Sequence, residues 1–350
     1  MPDLTEFATL TGLVGKYSPS GQERCAVEWL VDHMQSLGFT HSFRDQAGNA
    51  VGVMGNGARQ VVLLGHIDTV PGEIPLRIED GVFYGRGSVD AKGPLACFVD
   101  AAAALGPQNG WQVMVIGAVE EERNSEGARF VVDQYHPDFA IIGEPNHWER
   151  VALGYKGSAW AEIVLERAMV HTASKEESVC EAAVQTWLAI EMFAQNFNQG
   201  RERAFDQVMP SLRAMSSGED GFSSWAKLSV GARLPLDLPP DAWYTRLEAL
   251  AGSAQVSHRG YAIPAWQCEK NTALVRALLS GIRSMGGKPA FVNKTGTADL
   301  NIVAPAWQCP AAVYGPGDSA LDHTPDEHIS LAEYGKAVAA LKAALGNLLV

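Results

Sequence analysis

The sequence predicts an α/β protein, a central mixed sheet flanked by helices, with a second α+β domain inserted into it. Three observations carry this. Short apolar strands alternate with helical patterns over the first 150 or so residues, as in sheets covered on both faces. The texture changes near Gly154 to longer strands and helices separated by polar segments, and the first texture resumes near residue 266. At 350 residues the chain also exceeds what one hydrophobic core usually serves. The expected organisation is therefore 1–153 and 266–350 as two segments of one domain, with 154–265 inserted between them.

Element by element, "QERCAVEWLVDHMQSL" (22–37) has apolar residues at helical spacing and stops at Gly38, a good terminator. Strands are expected at 50–54 and 61–67. "AKGPLACFVDAAAALG" reads as a helix from Lys92 that ends at Gly106. Strand 111–119, a helix near 125–135 and strand 139–143 follow. The insert reads as strand 158–166, helix 177–197, a polar loop "MSSGEDGFSS" (215–224), strand 227–234, helix 241–251 and strand 254–263. Helices 271–285 and 330–349 close the chain. "PAWQC" occurs at 264–268 and 305–309, but its flanks differ, so a repeat is not inferred.

The composition, 47% hydrophobic and 19% charged, is that of a folded globular chain. A net charge of −13 argues against non-specific binding to nucleic acid or anionic membranes. Five scattered cysteines without a CxxC pair fit buried thiols in a reducing compartment. No apolar run approaches the length of a membrane span, and the first residues lack the pattern of a signal peptide, so a cytoplasmic protein is expected.

Chemistry-bearing residues gather at the ends of the expected strands, where open α/β sheets collect ligands. In "LLGHIDTVPG", His66 and Asp68 are two apart, so on extended backbone they share a side and Asp68 can receive one imidazole N–H. Alone, the pair reads as a core histidine satisfied by its neighbour. Asp90 in "YGRGSVDAKGP" lies in a glycine-rich loop before a helix, and alone reads as a cap. "VIGAVEEERNSEG" ends a buried strand in Glu120, Glu121 and Glu122, an arrangement that costs stability unless something compensates it. Adjacent residues on extended backbone face opposite ways, so Glu121 and Glu122 reach one site only if the chain turns there. Glu144 ends the strand in "IIGEPNHW", and "LDHTPDEHIS" offers His323 and His328, the latter expected at the surface.

These segments, in this order, resemble the two-metal amidohydrolase and peptidase family that includes acetylornithine deacetylase, succinyl-diaminopimelate desuccinylase and the glutamate-releasing carboxypeptidases. The resemblance covers nearly the whole chain and implies a zinc aminopeptidase-like catalytic domain with an inserted dimerisation domain. It implies one metal held by His66, Asp90 and Glu144, and another by Asp90, Glu122 and His323, with Asp90 bridging. The implied ions are zinc, with cobalt or manganese as substitutes, which hard carboxylates and imidazole suit. Asp68 would orient His66, Glu121 would be the general base, and Glu120 would only support. In the insert, "VHTAS" implies that His171 stabilises an oxyanion in the partner subunit's site, so the protein would be a homodimer. "GARLP" implies that Arg233 fits a substrate carboxylate, and "NKTGTADLN" implicates Gly296 and Thr297. A cis Asp90–Ala91 peptide is implied as well.

Within the family, "LGYKGS" and "KTGTADLN" are most similar to hydrolases of lysine and ornithine biosynthesis that use an acidic amino-group carrier protein. These release the amino acid from the carrier's terminal glutamate side chain. Such a partner would be repelled at long range by a chain of charge −13, so a local basic patch is required. Two other readings stand beside this one: a deacylase of small N-acyl amino acids, and a metal- or peptide-binding relative without catalysis. The retention of Glu121 beside the ligands speaks against the last.

Overall fold

The computed structural model describes residues 7–169, 171 and 176–350. The chain divides into two units. The first runs to Leu153 and includes Cys268–Asn293 and Ala298–Val350, and the second comprises Gly154–Gln267 and Lys294–Thr297.

The first unit opens with α1 (Ala8–Val14), α2 (Arg24–Ser36), β1 (His41–Arg44), β2 (Ala50–Met54) and β3 (Arg59–His66). It continues with β4 (Arg77–Glu79), β5 (Val82–Tyr84), α3 (Lys92–Leu105), β6 (Trp111–Ala118), α4 (Glu126–Val131), β7 (Phe139–Gly143) and β8 (Arg150–Tyr155). The second unit holds β9 (Gly157–Ala168), α5 (Val179–Asn198), β10 (Met209–Glu219), β11 (Ser223–Leu234), α6 (Pro240–Ala251), β12 (Gln255–Ile263) and β13 (Trp266–Gln267). The first unit then closes with α7 (Ala273–Ser284), β14 (Ala290–Lys294), α8 (Leu300–Trp307), β15 (Ala311–Val313), β16 (His328–Ser330) and α9 (Leu331–Leu348).

The main sheet of the first unit runs β1-β2-β6-β3-β7-β15-β8. Its centre is parallel, β3 pairing with β6 and β7, and β7 with β15. Both flanks are antiparallel. The central strands are uninterrupted apolar runs, buried from Val61 to His66 and from Val113 to Ala118, as sheets covered on both faces demand. Helix α3 is buried along most of its length and stops where Gly106 takes φ 70, a conformation costly to other residues. Because β3, β6 and β7 run the same way, His66, the glutamate triplet and Glu144 leave the sheet at one edge. A small sheet, β16-β5-β4, ties the late segment around residue 328 to the loop that precedes Asp90.

The second unit is a four-stranded antiparallel sheet, β10-β11-β9-β12. Here alternation is clear: Ala226, Leu228, Val230, Ala232 and Leu234 of β11 are buried with Trp243 and Ile190 of the helices, and the intervening residues face out. A capping box, Ser178 with Glu181, starts α5.

Several expectations need correction. Residues 215–224 are not a loop. They are the outer ends of β10 and β11, paired down to Glu219–Ser224, around a turn in which Asp220 accepts from the amides of Phe222 and Ser223. This part of the hairpin has no buried face, so its strands carry no apolar alternation. The helix expected at 125–135 is limited to α4. The two "PAWQC" segments adopt different structures, one around β13 and the other at the end of α8, where Gln308 is left-handed. All five cysteines are free, but Cys25 and Cys180 are exposed rather than buried. His328 is only half-buried, its ring against Tyr84. No helix among the described residues is long and apolar enough to cross a membrane.

Candidate metal centre

Asp90 is the hub. Its Oδ1 lies 3.1 Å from His66 Nε2 and its Oδ2 lies 3.0 Å from His323 Nε2, so one carboxylate faces two imidazoles from opposite ends of the chain. Glu122 Oε1 approaches the same His323 nitrogen at 2.8 Å. Donor atoms of His66, Asp90 and Glu122 all lie within 4.8 Å of one another, the spacing of ligands around a shared cation. Glu144 is not part of that tight set. It is buried near enough to interact electrostatically with His66 and Asp90.

Local backbone explains how the residues converge. After β6 ends at Ala118, Glu120 takes φ 61 and its carbonyl accepts from Asn124 and Ser125. This is the turn that releases Glu121 and Glu122 from strand alternation. Asp68 holds the turn from the other side, its two oxygens each 3.1 Å from the amides of Glu121 and Glu122, with Ser20 Oγ donating at 2.6 Å. Asn49 secures the strand exit by accepting from the Val119 amide and donating to the Gly127 carbonyl. His66 Nδ1 lies 3.0 Å from the Asp68 carbonyl, which can only accept, so Nδ1 carries the proton. The Asp68 carboxylate lies 3.4 Å from the same nitrogen, so both its main chain and its side chain face His66 Nδ1. His323 also has φ 62, and the Asp90–Ala91 peptide is cis.

The electrostatics are those of crowded acids. Burial holds Glu121 well above the usual carboxylate range; His66 pulls it down, and Glu144, Asp299 and Glu122 push it further up. Burial likewise raises Glu144 and Glu122. Hydrogen bonds to Asp90 and Glu122 push His323 up to about 10. Burial opposes charge on His66, yet Asp68 and Asp90 leave it well above its ordinary value. Imidazoles that close to carboxylates draw protons, and a divalent cation would take the place of those protons. The donor set, two imidazoles among carboxylates in a buried pocket of acids, fits such an ion.

The sequence reading missed several members. Asp299, at the start of α8, is buried, and burial pushes it up to about 7; Ser125 bonds its side chain, but Oδ1 has no hydrogen-bond partner among the described residues. Glu327 is fully buried and paired with Arg86 at 2.8 Å. Lys92 is also fully buried, and burial lowers it to about 7. Arg86 and Glu327 sat inside the quoted motifs. The available signal was a charge placed in a Gly- or Pro-containing segment without a local partner.

In the second unit, Arg233 on β11 donates through Nη1 to Thr297 Oγ1, so two of the residues expected to bind substrate meet. A Cβ on Gly296 would meet nothing within 4 Å, so packing does not demand glycine there. His171 is exposed in the same unit; the rest of the "VHTAS" segment lies outside the described residues.

The model of the peptidase family M20/M25/M40 matches residues 62–347. A Deinococcus radiodurans protein named LysW-lysine hydrolase is 44% identical over 340 residues, 95% of this chain and 93% of that one. A Saccharolobus islandicus protein named LysW-lysine/LysW-ornithine hydrolase is 28% identical over 331 residues, 93% of this chain and 90% of its own length. Among solved structures, the M20 family metallo-carboxypeptidase Sso-CP2 from Sulfolobus solfataricus superposes with TM-score 0.78 at 17% identity, over 98% of this chain and 99% of that one. A Staphylococcus aureus tripeptidase superposes with TM-score 0.79 at 18% identity, over 98% and 97%. At those identities the structures share the fold.

Proposed function

The chain belongs to the M20/M25/M40 peptidase family, and from that premise we propose that it is a metal-dependent amide hydrolase. It releases lysine or ornithine from the terminal glutamate side chain of an amino-group carrier protein. The observation that carries the chemistry is the carboxylate of Asp90 facing His66 Nε2 with one oxygen and His323 Nε2 with the other. That geometry suits a carboxylate bridging two divalent ions. The names borne by the 44% and 28% identical relatives support the substrate.

His66, Asp90 and Glu144 would hold one ion, and Asp90, Glu122 and His323 the other; zinc fits best, with cobalt or manganese able to substitute. When bound, such ions acidify water and polarise an amide carbonyl. Glu121, buried and raised by its surroundings, takes a proton from the attacking water and hands it to the leaving amine. Asp68 holds Glu121 and Glu122 by their amides and His66 by its main chain. Arg233, set by Thr297, receives the carboxylate of the released amino acid. His171 donates to the developing oxyanion from the partner subunit of a homodimer formed through the second unit, in the cytoplasm.

Support for dimerisation comes from α5, which leaves Val184, Leu188 and Met192 exposed at four-residue intervals on one face. Lys227, Arg259 and Arg233 on the outward side of the second unit's sheet offer local positive charge in a chain of net −13, although Glu162 pairs with the first two. An acidic carrier would need such a surface.

The test is a substrate panel with added Zn²⁺ or Co²⁺. Carrier-linked lysine and ornithine are compared with N-acetylornithine and N-succinyl-diaminopimelate, and the released amine is quantified. Carrier-linked substrates should show the higher kcat/KM. Preference for the small N-acyl compounds would replace this reading with that of a small-molecule deacylase.

A further inference from the structure

The loop that carries Asp90 is built without slack. Gly87 takes φ 85, and a Cβ there would stand 2.9 Å from Thr69 Cγ2; a Cβ on Gly93 would stand 2.2 Å from the Ser88 carbonyl oxygen. What holds this loop is one side chain from the other end of the sequence. Glu327 is fully buried; its Oε1 accepts from the amides of Val89 at 2.9 Å and Asp90 at 3.0 Å. Its Oε2 accepts from Arg86 Nη1 at 2.8 Å, while Arg86 Nε donates to the Gly72 carbonyl at 2.9 Å. The main chain of Glu327 accepts in turn from the Gly85 amide at 3.3 Å. Glu327 is four residues beyond His323, on the same segment.

We propose that Glu327 is a positioning residue that sets the distance between Asp90 and His323, and so the strength with which the pair holds a shared metal ion. The inference rests on the proposed two-metal reading. By grasping two consecutive amides, one carboxylate fixes both the position and the rotation of the backbone from which Asp90 projects. Because the same short segment bears His323, the clamp and the second ligand move together. Arg86 has a separate task. Its guanidinium stands against Glu327 Oε2 as a buried counter-charge, so the carboxylate is not left alone away from water.

Replacing the buried ion pair by apolar residues of similar volume, Arg86→Met with Glu327→Met, leaves no uncompensated charge, and such exchanges are often neutral or stabilising. The double variant should fold with a Tm near that of the wild type, yet leave the Val89 and Asp90 amides without their acceptor. Titration of the metal-free protein with Co²⁺, followed by calorimetry and by the absorption of the bound ion, should show a 10–100-fold loss of affinity for one ion, as when other groups that orient ligands are removed. Glu327→Gln retains an oxygen for the two amides, so its affinity should stay within about threefold of wild type, even as its Tm falls because an amide NH₂ now faces Arg86. Undiminished affinity in the folded double variant would overturn the proposal and leave the pair a structural tie. If the double variant does not fold, Glu327→Gln decides: wild-type affinity supports positioning through the amides, and a 10-fold or greater loss refutes it. Wild-type protein that takes up no metal would instead overturn the two-metal reading itself.

Discussion

Buried acids of two kinds stand in the first unit. Glu327 has a donor for each oxygen, two amides and a guanidinium, and Asp100 in α3 accepts from the hydroxyls of Thr9 and Tyr334. Asp299 has one oxygen without a hydrogen-bond partner among the described residues, and Glu121 stands among Glu144, Asp299 and Glu122, whose charges push it up. The difference lies in what has been supplied to meet them. A fully bonded acid braces the structure. On the proposed function, an acid left short of donors, among others of like charge, is held for a cation or for a proton in transit.

The sharpest way to break this comparison is to neutralise an acid of the second kind. Glu121→Gln should lower kcat by about 10²–10⁴ while both ions are retained, because only the base is lost. Glu122→Ala should cost one ion, and Glu120→Gln should do little. Metal analysis of the purified variants with turnover numbers decides the matter, and wild-type turnover in Glu121→Gln would remove the distinction between the two kinds of acid.

His171 belongs to neither group, and its variant asks whether the acids suffice. His171→Ala should reduce kcat by about 10²–10³, as loss of an oxyanion donor does, with metal content unchanged. Mixing the His171→Ala and Glu121→Gln proteins, each nearly inactive, should restore activity through mixed dimers that hold one complete site. If no activity returns on mixing, the histidine does not act across subunits.

The smallest effect concerns Asp100. Burial raises its pKa, against the lowering bonds of Thr9 and Tyr334. A folded-state value above the unfolded one means that the folded protein binds the proton more tightly. The contribution of Asp100 to stability is therefore greatest at low pH and declines as pH rises from the ordinary carboxylate range through the raised value. The stability of wild type relative to Asp100→Asn, measured by denaturant unfolding from pH 4 to 8, should fall across that window. A flat difference would mean that the two hydroxyls fully offset burial.

The apolar strands and α3 were legible in the sequence because burial on both faces leaves continuous runs, and so were the residues at their carboxyl ends. The outer half of the β10–β11 hairpin was not, since strands without a buried face carry no alternation. His66, Asp90, Glu122 and His323 could be named from their segments and their resemblance to a known family. Glu327 and Asp299 could not, because their importance lies in which distant group they meet. Asn49 was hidden for the same reason: its partners at Val119 and Gly127 are neighbours only after β2 pairs with β6.

The clamp between Asp90 and Glu327 joins positions 237 residues apart. A ribosome adding about 5–20 residues per second needs on the order of ten to fifty seconds to travel between them. For that interval Arg86 has emerged without its carboxylate, and the acids after β6 and β7 lie close in a sheet whose closing segment does not yet exist. The second unit can form while the first waits. The loop that carries Asp90 is thus among the later places to be finished, and a nascent chain cannot hold Asp90 through Glu327 before nearly all of these residues have been made.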